Sequence, residues 1–545
     1  MNVRYLFSLI VALLSVLPIR AAQRTEQAMH TIACNVLCGQ TATRSSIAPD
    51  DVRLAVMTSA YSIYDSTEGF VVVGRDSASP AVLGRSFTPY DAASLPPAFL
   101  WWLEATRLSL SASAATRSFT AGASYTPVEK FITSQWGQYA PFNAKCLTSD
   151  GQQCVTGCLA TALAQILYYY KYPSGYNWSS MSDFYYGTES NYDVAQLAYD
   201  CAYACKTSFY IDEGYPQGTA FDFDGAKALV NTFNFSDSNI QYLTRFYYSD
   251  SDWMRIVYEE LASRRPILYG GEGTGGHAFL LCGVDGAGSV YVNWGWYGTC
   301  DGWYDISYLN PTSSTYDFNS NQSMIVGIAP SSTNVTLRPR YSELCYVYSP
   351  DNELDGSPYT FTSTEANILS VADNQRRMIV NFHYLNFSGS VYLVFTDASN
   401  QRYTIEFIKV NSSSETWTLR SYDIYKSLDI TKLPAGSYTA MLATRDSRDS
   451  DFCPVRALGG VPYFSLNKYS DGTLIVGSPQ IKAEKNLFSS DIMTDVSRVI
   501  RVTSAAADTD TRPATYSYDL SGKRLNDESC RQGLVIKDGR KYTSR

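Results

Sequence analysis

The hydrophobic pattern of this chain changes period along its length, and that change limits the fold more than any other feature. In "CLATALAQILYYYK", residues 158 to 171, apolar side chains recur at Leu159, Ala162, Leu163, Ile166, Leu167 and Tyr170. That is the spacing of a helix with a buried stripe, and Pro173 stops it. After residue 331 the period shortens. "RMIVNFHYL", "SVYLVFTD", "RYTIEFIKV" and "SYTAMLATRD" alternate at short intervals with turns between. This predicts an antiparallel β-sandwich over 331–475. Within the central part, 123–330, helical signals come first. Strand signals follow, in "HAFLLCGVDGAGSVYVNWGWYGTCDGWYDIS". Helices first and strands last is an α+β order, not a repeating βαβ one.

The 545 residues exceed one ordinary domain. Residues 1–22 read as a secretory signal peptide: Arg4, an apolar core from Leu6 to Leu17 too short to span a bilayer, then the small pair Ala21 and Ala22. No later apolar run is long enough for a membrane span, so the mature chain is expected to be secreted or held at the cell surface. Residues 23–122 form a first unit with a strand, FVVVG, and a short helix in "SLPPAFLWWLEATRLSL" that starts behind proline. "SASAATRSFTAGAS", 111–124, is small and polar, an exposed linker open to proteolytic nicking. Residues 476–545 hold a polar linker and a hairpin module marked by Ser521-Gly522 and Asp538-Gly539.

Formal net charge is −9 with no Lys/Arg cluster, which argues against a nucleic-acid partner. Twelve cysteines in an exported chain permit disulfides, whose pairing the sequence does not give. There are three histidines, His30, His277 and His383. That scarcity excludes a His-rich metal site, and no metal or cofactor is expected. "DNELDG", 351–356, resembles a calcium loop faintly but lacks the acidic twelfth position, so it reads as a turn.

A cysteine is a strong nucleophile as its thiolate, and a helix N-terminus or a neighbouring imidazolium lowers its pKa. Cys158 follows Thr156-Gly157, where the helix should begin. Cys154 lies about one turn earlier, without that advantage, and reads as a structural or spare thiol. The nucleophile needs a base, and His277, in "GTGGHAFLL", is the one histidine of the central part. The tetrahedral intermediate needs donors at its oxyanion. The Cys158 N–H can supply one, and Gln135 or Gln138 of "QWGQYAPFN" another. The bland readings are a buried sulfur for Cys158, a satisfied core histidine for His277, a surface amide for Gln138 and plain core aromatics for Trp294 and Trp296.

"WGQYAPFN", "TGCLATALAQILYYYKYP", "GGHAFLLCGVDG" and "VNWGWYGTCDGWYDI" resemble, in order and spacing, the motifs of the streptopain family of papain-like cysteine peptidases. "GFVVVGRDSASPAVLGRSF" resembles that family's inhibitory propeptide, and "YDLSGKRL" with "GLVIKDGRK" resembles a C-terminal module of exported Bacteroidetes proteins. The resemblance covers roughly residues 50 to 330. It implies a papain-like α+β peptidase domain over 123–330, preceded by an α+β prosegment over 23–122 and followed by β-sandwich-type C-terminal modules. It implies a secreted cysteine endopeptidase made as a latent zymogen, acting on proteins or peptides, with its own propeptide as intramolecular inhibitor. An apolar side chain is expected in the residue preceding the cleaved one.

Residue by residue, the resemblance matches Cys158 to the nucleophile, His277 to the base and Gln138 to the oxyanion-hole glutamine. Trp296 matches the tryptophan that shields the pair, Asn293 is a weaker match for orienting the ring, and Gly276 is placed to touch substrate. Tyr297 departs from the family, which has glycine after W-G-W, and could narrow the cleft. Cys154, Cys282 and Cys300 are available for a disulfide near the site. Two other readings stand beside this one: a Cys-His amidase or transglutaminase, and a catalytically inert surface adhesin on the same scaffold.

Overall fold

A computed structural model describes residues 23–39, 47–77, 79–112, 126–186, 190–237, 239–271, 277–306 and 322–331. It then describes 344–347, 358–371, 378–381, 387–412, 418–419, 427–446, 451–457, 460–482 and short strands from there to 544. The signal peptide, nearly all of the 111–124 linker, "DNELDG", His383 and the two tail turns lie outside the described residues. In chain order the elements to residue 326 are α1 (Glu26–Cys38), β1 (Arg53–Met57), β2 (Tyr61–Ser66), β3 (Gly69–Gly74), β4 (Val82–Ser86), α2 (Pro97–Ala112), α3 (Cys158–Tyr170), α4 (Tyr192–Ala204) and β5 (Ser208–Asp212). There follow β6 (Tyr215–Thr219), α5 (Asp222–Asn231), β7 (Gln241–Thr244), α6 (Asp250–Ala262), β8 (Ile267–Gly271), β9 (His277–Val284), β10 (Val290–Asn293), β11 (Gly302–Tyr304) and β12 (Gln322–Val326). The class is α+β. No helix among the described residues is long and apolar enough to cross a membrane.

The chain divides into two compact units, one of residues 1–127, 284–294 and 298–316, the other of 128–283, 295–297 and 317–545. In the first, the antiparallel strands run in the order β1-β2-β3-β4-β11-β10. Every residue of β3 is buried, as its unbroken apolar run requires. Met29, Ala33 and Leu37, spaced by four on α1, pack on Tyr64, Val71 and Val73. Thr25 caps that helix by accepting the Ala28 N–H. The sequence reading found β3 and α2 but neither α1 nor its flanking strands. On the 13-residue α1 the fully buried residues are Met29, Ala33 and Leu37, while the apolar Ile32 and Val36 are only partly covered, so the stripe is diffuse, and β2, "YSIYDS", does not alternate because nearly all of it is covered.

The pairing of β4 with β11 carries this unit across a long sequence gap. Gly302 faces Ser86, Trp303 faces Arg85 and Tyr304 faces Gly84. A Cβ at Gly302 would stand 2.0 Å from the Arg85 carbonyl, and one at Gly84 would stand 2.3 Å from the Tyr304 ring. Both glycines are therefore required by close approach. Around them Ser86 Oγ donates to the Asp301 carbonyl, the Asp305 N–H to the Leu83 carbonyl, and Trp102 Nε1 to the Asp305 carbonyl. Phe99 and Trp102 of α2 close over Trp294 and Tyr304.

In the second unit the strands run β9-β8-β12-β7, with hairpin β5-β6 apart from them. Helix α3 is more deeply set than a one-sided stripe: every residue from Leu159 to Tyr168 is buried. Its polar members are satisfied, Thr161 Oγ1 by the Gly157 carbonyl and Gln165 Oε1 by Ser134 Oγ. Further along, strand Phe387–Asp397 pairs with Arg402–Ser412 on one side and Gly436–Asp446 on the other. A second sheet holds Phe361–Glu365, Ile368–Val371 and Ser427–Asp429. One core, with Phe361, Leu369, Leu428, Val391, Leu393, Phe395, Phe407, Leu442 and Phe464 in it, draws on both sheets.

Among the described residues, Arg456 of this C-terminal part lies against the earlier chain of its unit. The side chain is fully buried, its guanidinium 3.8 Å over the Tyr248 ring, with Nη1 3.4 Å from the Tyr247 carbonyl. Tyr248 in turn packs on Trp253, whose Nε1 donates to Tyr269 Oη.

Candidate active site

Helix α3 begins at Cys158, as the spacing predicts, and the reason lies in Gly157. That residue has φ of 92° and ψ of 145°, and no side chain caps the helix. Its Cβ, were there one, would lie 2.5 Å from the Gly218 carbonyl. Only glycine takes both that backbone and that contact. The first-turn amides of α3 are thus left facing the Cys158 thiol.

Across from it, β9 opens with His277, paired with Gly271 of β8. The next residue, Ala278, turns its backbone N–H onto the Cys158 sulfur. That bond fixes the start of β9 against the start of α3. Burial is the largest influence on the thiol and pushes its pKa up. The Ala278 and helix N–H groups act the other way, and the Asp222 carboxylate adds to the rise. Burial pushes His277 down to about 4. Burial thus favours the neutral form of each group.

The upstream loop is tied to the same helix. Thr156 donates to the Gln138 carbonyl from its N–H (2.9 Å) and its hydroxyl (3.2 Å), which ties the backbone of half-buried Gln138 to the residue two before Cys158. Gln165, two turns into α3, accepts from Ser134 Oγ and the Trp136 N–H. The buried Trp136 donates from Nε1 to the Ser182 carbonyl. Gln135, the other glutamine considered, bonds by its N–H to the Asp183 carbonyl.

Trp296 is half-buried, its ring edge-on to Tyr139 at 6.3 Å. Tyr297 does not reach forward from this turn. With φ of 54° its ring lies on Gly137, where a Cβ would be 2.2 Å away. Its hydroxyl accepts the Tyr139 N–H (3.0 Å) and donates to the Ala140 carbonyl (3.1 Å). The residue that departs from the family pattern is thus a clamp on the loop that carries Gln138. Asn293 is buried at the end of β10, in the first compact unit. Gly276 lies outside the described residues.

The suggested disulfide is absent: Cys154, Cys282 and Cys300 are free thiols. Cys154 directs its sulfur to the Tyr210 carbonyl instead, 3.6 Å away, and Cys300 belongs to the other compact unit. Burial pushes the Cys154 thiol up, and no helix start offsets it. Sequence reasoning missed Gln165 and Asp222. Gln165 reads as one more residue of a helix, and Asp222, in "FDFDGAK", reads as an ordinary acidic first turn.

Comparison with known proteins follows the same residues. The sequence model of the Peptidase C10 family matches residues 136–176 and 174–304. Streptopain of Streptococcus pyogenes is 29% identical over 325 residues, spanning 49% of this chain and 79% of streptopain. The chain belongs to the streptopain-like C10 family of cysteine peptidases. It is a cysteine-type endopeptidase. A second C10 relative, the thiol protease/hemagglutinin PrtT of Porphyromonas gingivalis, is 28% identical over 320 residues, 49% of this chain and 36% of that protein. Among solved structures, a fragment of prointerpain A of Prevotella intermedia is 31% identical, covers 51% of this chain and 99% of the fragment, and gives a TM-score of 0.46. Active interpain A of the same organism is 35% identical, covering 38% and 97%, with a TM-score of 0.33. The C10 match begins at Trp136 and takes in Gln138, Cys158, His277, Asn293 and Trp296.

Proposed function

We propose that this endopeptidase is exported as a latent zymogen and cleaves peptide bonds through a Cys158–His277 dyad. The observation that carries the reading is the Ala278 N–H on the Cys158 sulfur, which brings the start of the histidine strand onto the start of the cysteine helix. His277 takes the thiol proton, and the thiolate attacks the scissile carbonyl. The leaving amine receives the proton from His277, and water then releases the acyl group. Gln138 and the Cys158 N–H donate to the oxyanion, each such donor being worth about 3 kcal/mol of barrier. Trp296 shields the pair from water, and Gly276 touches the substrate near the scissile bond. An apolar side chain is favoured in the residue before the cleaved one.

Latency has an electrostatic side. A buried thiol and a buried imidazole both favour their neutral forms, whereas attack needs the thiolate–imidazolium pair. Hydrating the site moves both groups back toward that pair. Residues 23–122 act as the intramolecular inhibitor, and a cut in 111–124 relieves it. The test is casein hydrolysis by the purified full chain under reducing conditions, beside Cys158→Ala. The wild type should trim itself and become active; the variant should stay full-length until trypsin is added and inert even then. Equal activity in the two would end the assignment of Cys158.

A further inference from the structure

Three residues stand in a row across the second unit's sheet beside the dyad. Ala278 on β9 faces Gly270 on β8, and Gly270 faces Ser323 on β12. Residues directly opposite on neighbouring strands present the same face. Gly270 has no side chain to present, and the Asp222 carboxyl fills its place: a Cβ there would be 1.9 Å from Oδ2 and 3.1 Å from Oδ1. Ser323 Oγ donates to Oδ2 at 2.8 Å. Among the described residues Oδ1 has no hydrogen-bond donor and no cation meets this carboxyl. Asp224, two residues on, has Lys206 Nζ at 3.3 Å.

A desolvated carboxyl with one hydroxyl donor is an unfinished arrangement. Left alone it favours the neutral form, and burial pushes Asp222 up to about 6. A structural carboxylate would gain from a second donor or an arginine. The residue as a whole nonetheless keeps some contact with solvent, and its charge is felt at the Cys158 sulfur. The distances fit a substrate. Gly270 lies one strand spacing, about 5 Å, from Ala278, whose N–H touches the sulfur. A peptide attacked at Cys158 has the α-carbon of its preceding residue about 4 Å further along the chain. A long side chain from there spans the remaining gap over Ala278 and Gly270, two positions with little or no side chain of their own.

We propose that Asp222 is a specificity-determining residue: it ends the subsite for the residue preceding the cleaved one, and it lets that subsite take arginine or lysine as well as apolar side chains. The apolar stem of the basic residue covers Ala278 and Gly270, and its charged head supplies the donors that Oδ1 lacks. The proposal rests on the peptidase reading above.

The experiment uses the full chain, self-processed under reducing conditions, with peptides that differ at that one residue: valine, arginine or citrulline. Citrulline keeps the shape of arginine and removes its charge, so this comparison needs no variant. Arginine should be cut at least about tenfold more efficiently than citrulline, and within about tenfold of valine. In Asp222→Asn the arginine-to-valine ratio of kcat/KM should fall about tenfold, and Asp222→Glu should restore part of it. Equal rates for arginine and citrulline in the wild type overturn the proposal, as does an unchanged ratio in Asp222→Asn. If valine peptides are cut and arginine peptides are not, the subsite is purely apolar and this proposal alone fails. If no peptide is cut, the peptidase reading falls, and this one with it.

Discussion

Two β-rich regions flank helix α3 in sequence, and each is joined to the peptidase chain in an opposite way. The N-terminal strands are joined to β11 by backbone, and the contact depends on missing side chains at Gly84 and Gly302. The C-terminal sheets share a core of their own, and a large side chain from this part, Arg456, lies on Tyr248 just before α6. A backbone ladder between glycines is continuous and intolerant of added volume. A single cation over a ring is local, and it is lost by removing one group. The first kind of join suits a segment that must hold tightly until it is cut. The second suits a domain that folds around its own core.

The largest effect is expected at the ladder. Gly302→Val drives a side chain into the Arg85 carbonyl and should cost about 3 kcal/mol, as overpacking does in a closed core. The reading is a lower denaturation midpoint together with faster trypsin cutting of residues 23–127. A variant with wild-type proteolysis would show that the ladder does not hold this segment. Next comes Arg456→Ala, expected to cost about 2 kcal/mol for a desolvated cation–π contact. Calorimetry should show the loss with the first unit's proteolysis pattern unchanged, and Arg456→Met, which keeps volume without charge, should recover under half of it. Full recovery by Met would mean that packing, not charge, makes the join. The smallest effect is expected from Trp102→Phe, which removes the hydrogen bond to the Asp305 carbonyl while keeping an aromatic ring on Tyr304. About 1 kcal/mol should be lost in urea unfolding. A loss as large as that of Gly302→Val would shift the weight of this contact from backbone to side chains.

How much of this was legible follows from the range of the forces involved. Helix α3 could be read because its start and stop are local: Gly157 before Cys158, and Pro173 after the last turn. His277 could be read because the central part has no second histidine. Strand β3 announced itself by four consecutive buried apolar residues, whereas β2 and α1 did not, since their burial comes from each other. The alternation after residue 331 gave the sheets, because a strand half covered by a core must alternate.

Sequence by itself therefore determined the α+β class, the position of Cys158 at a helix start, and the family to which these motifs belong. These depend on φ/ψ preference and on periodicity, which act within a few residues. Only the tertiary structure decided that Tyr297 folds back onto Gly137, that Cys154 stays a free thiol, that Arg456 fastens the C-terminal sheets, and that the Asp222 carboxyl takes the place of a side chain at Gly270. Each of these is a contact between groups separated in the chain by tens to hundreds of residues. Its energy comes from desolvation and close packing, which no local pattern encodes.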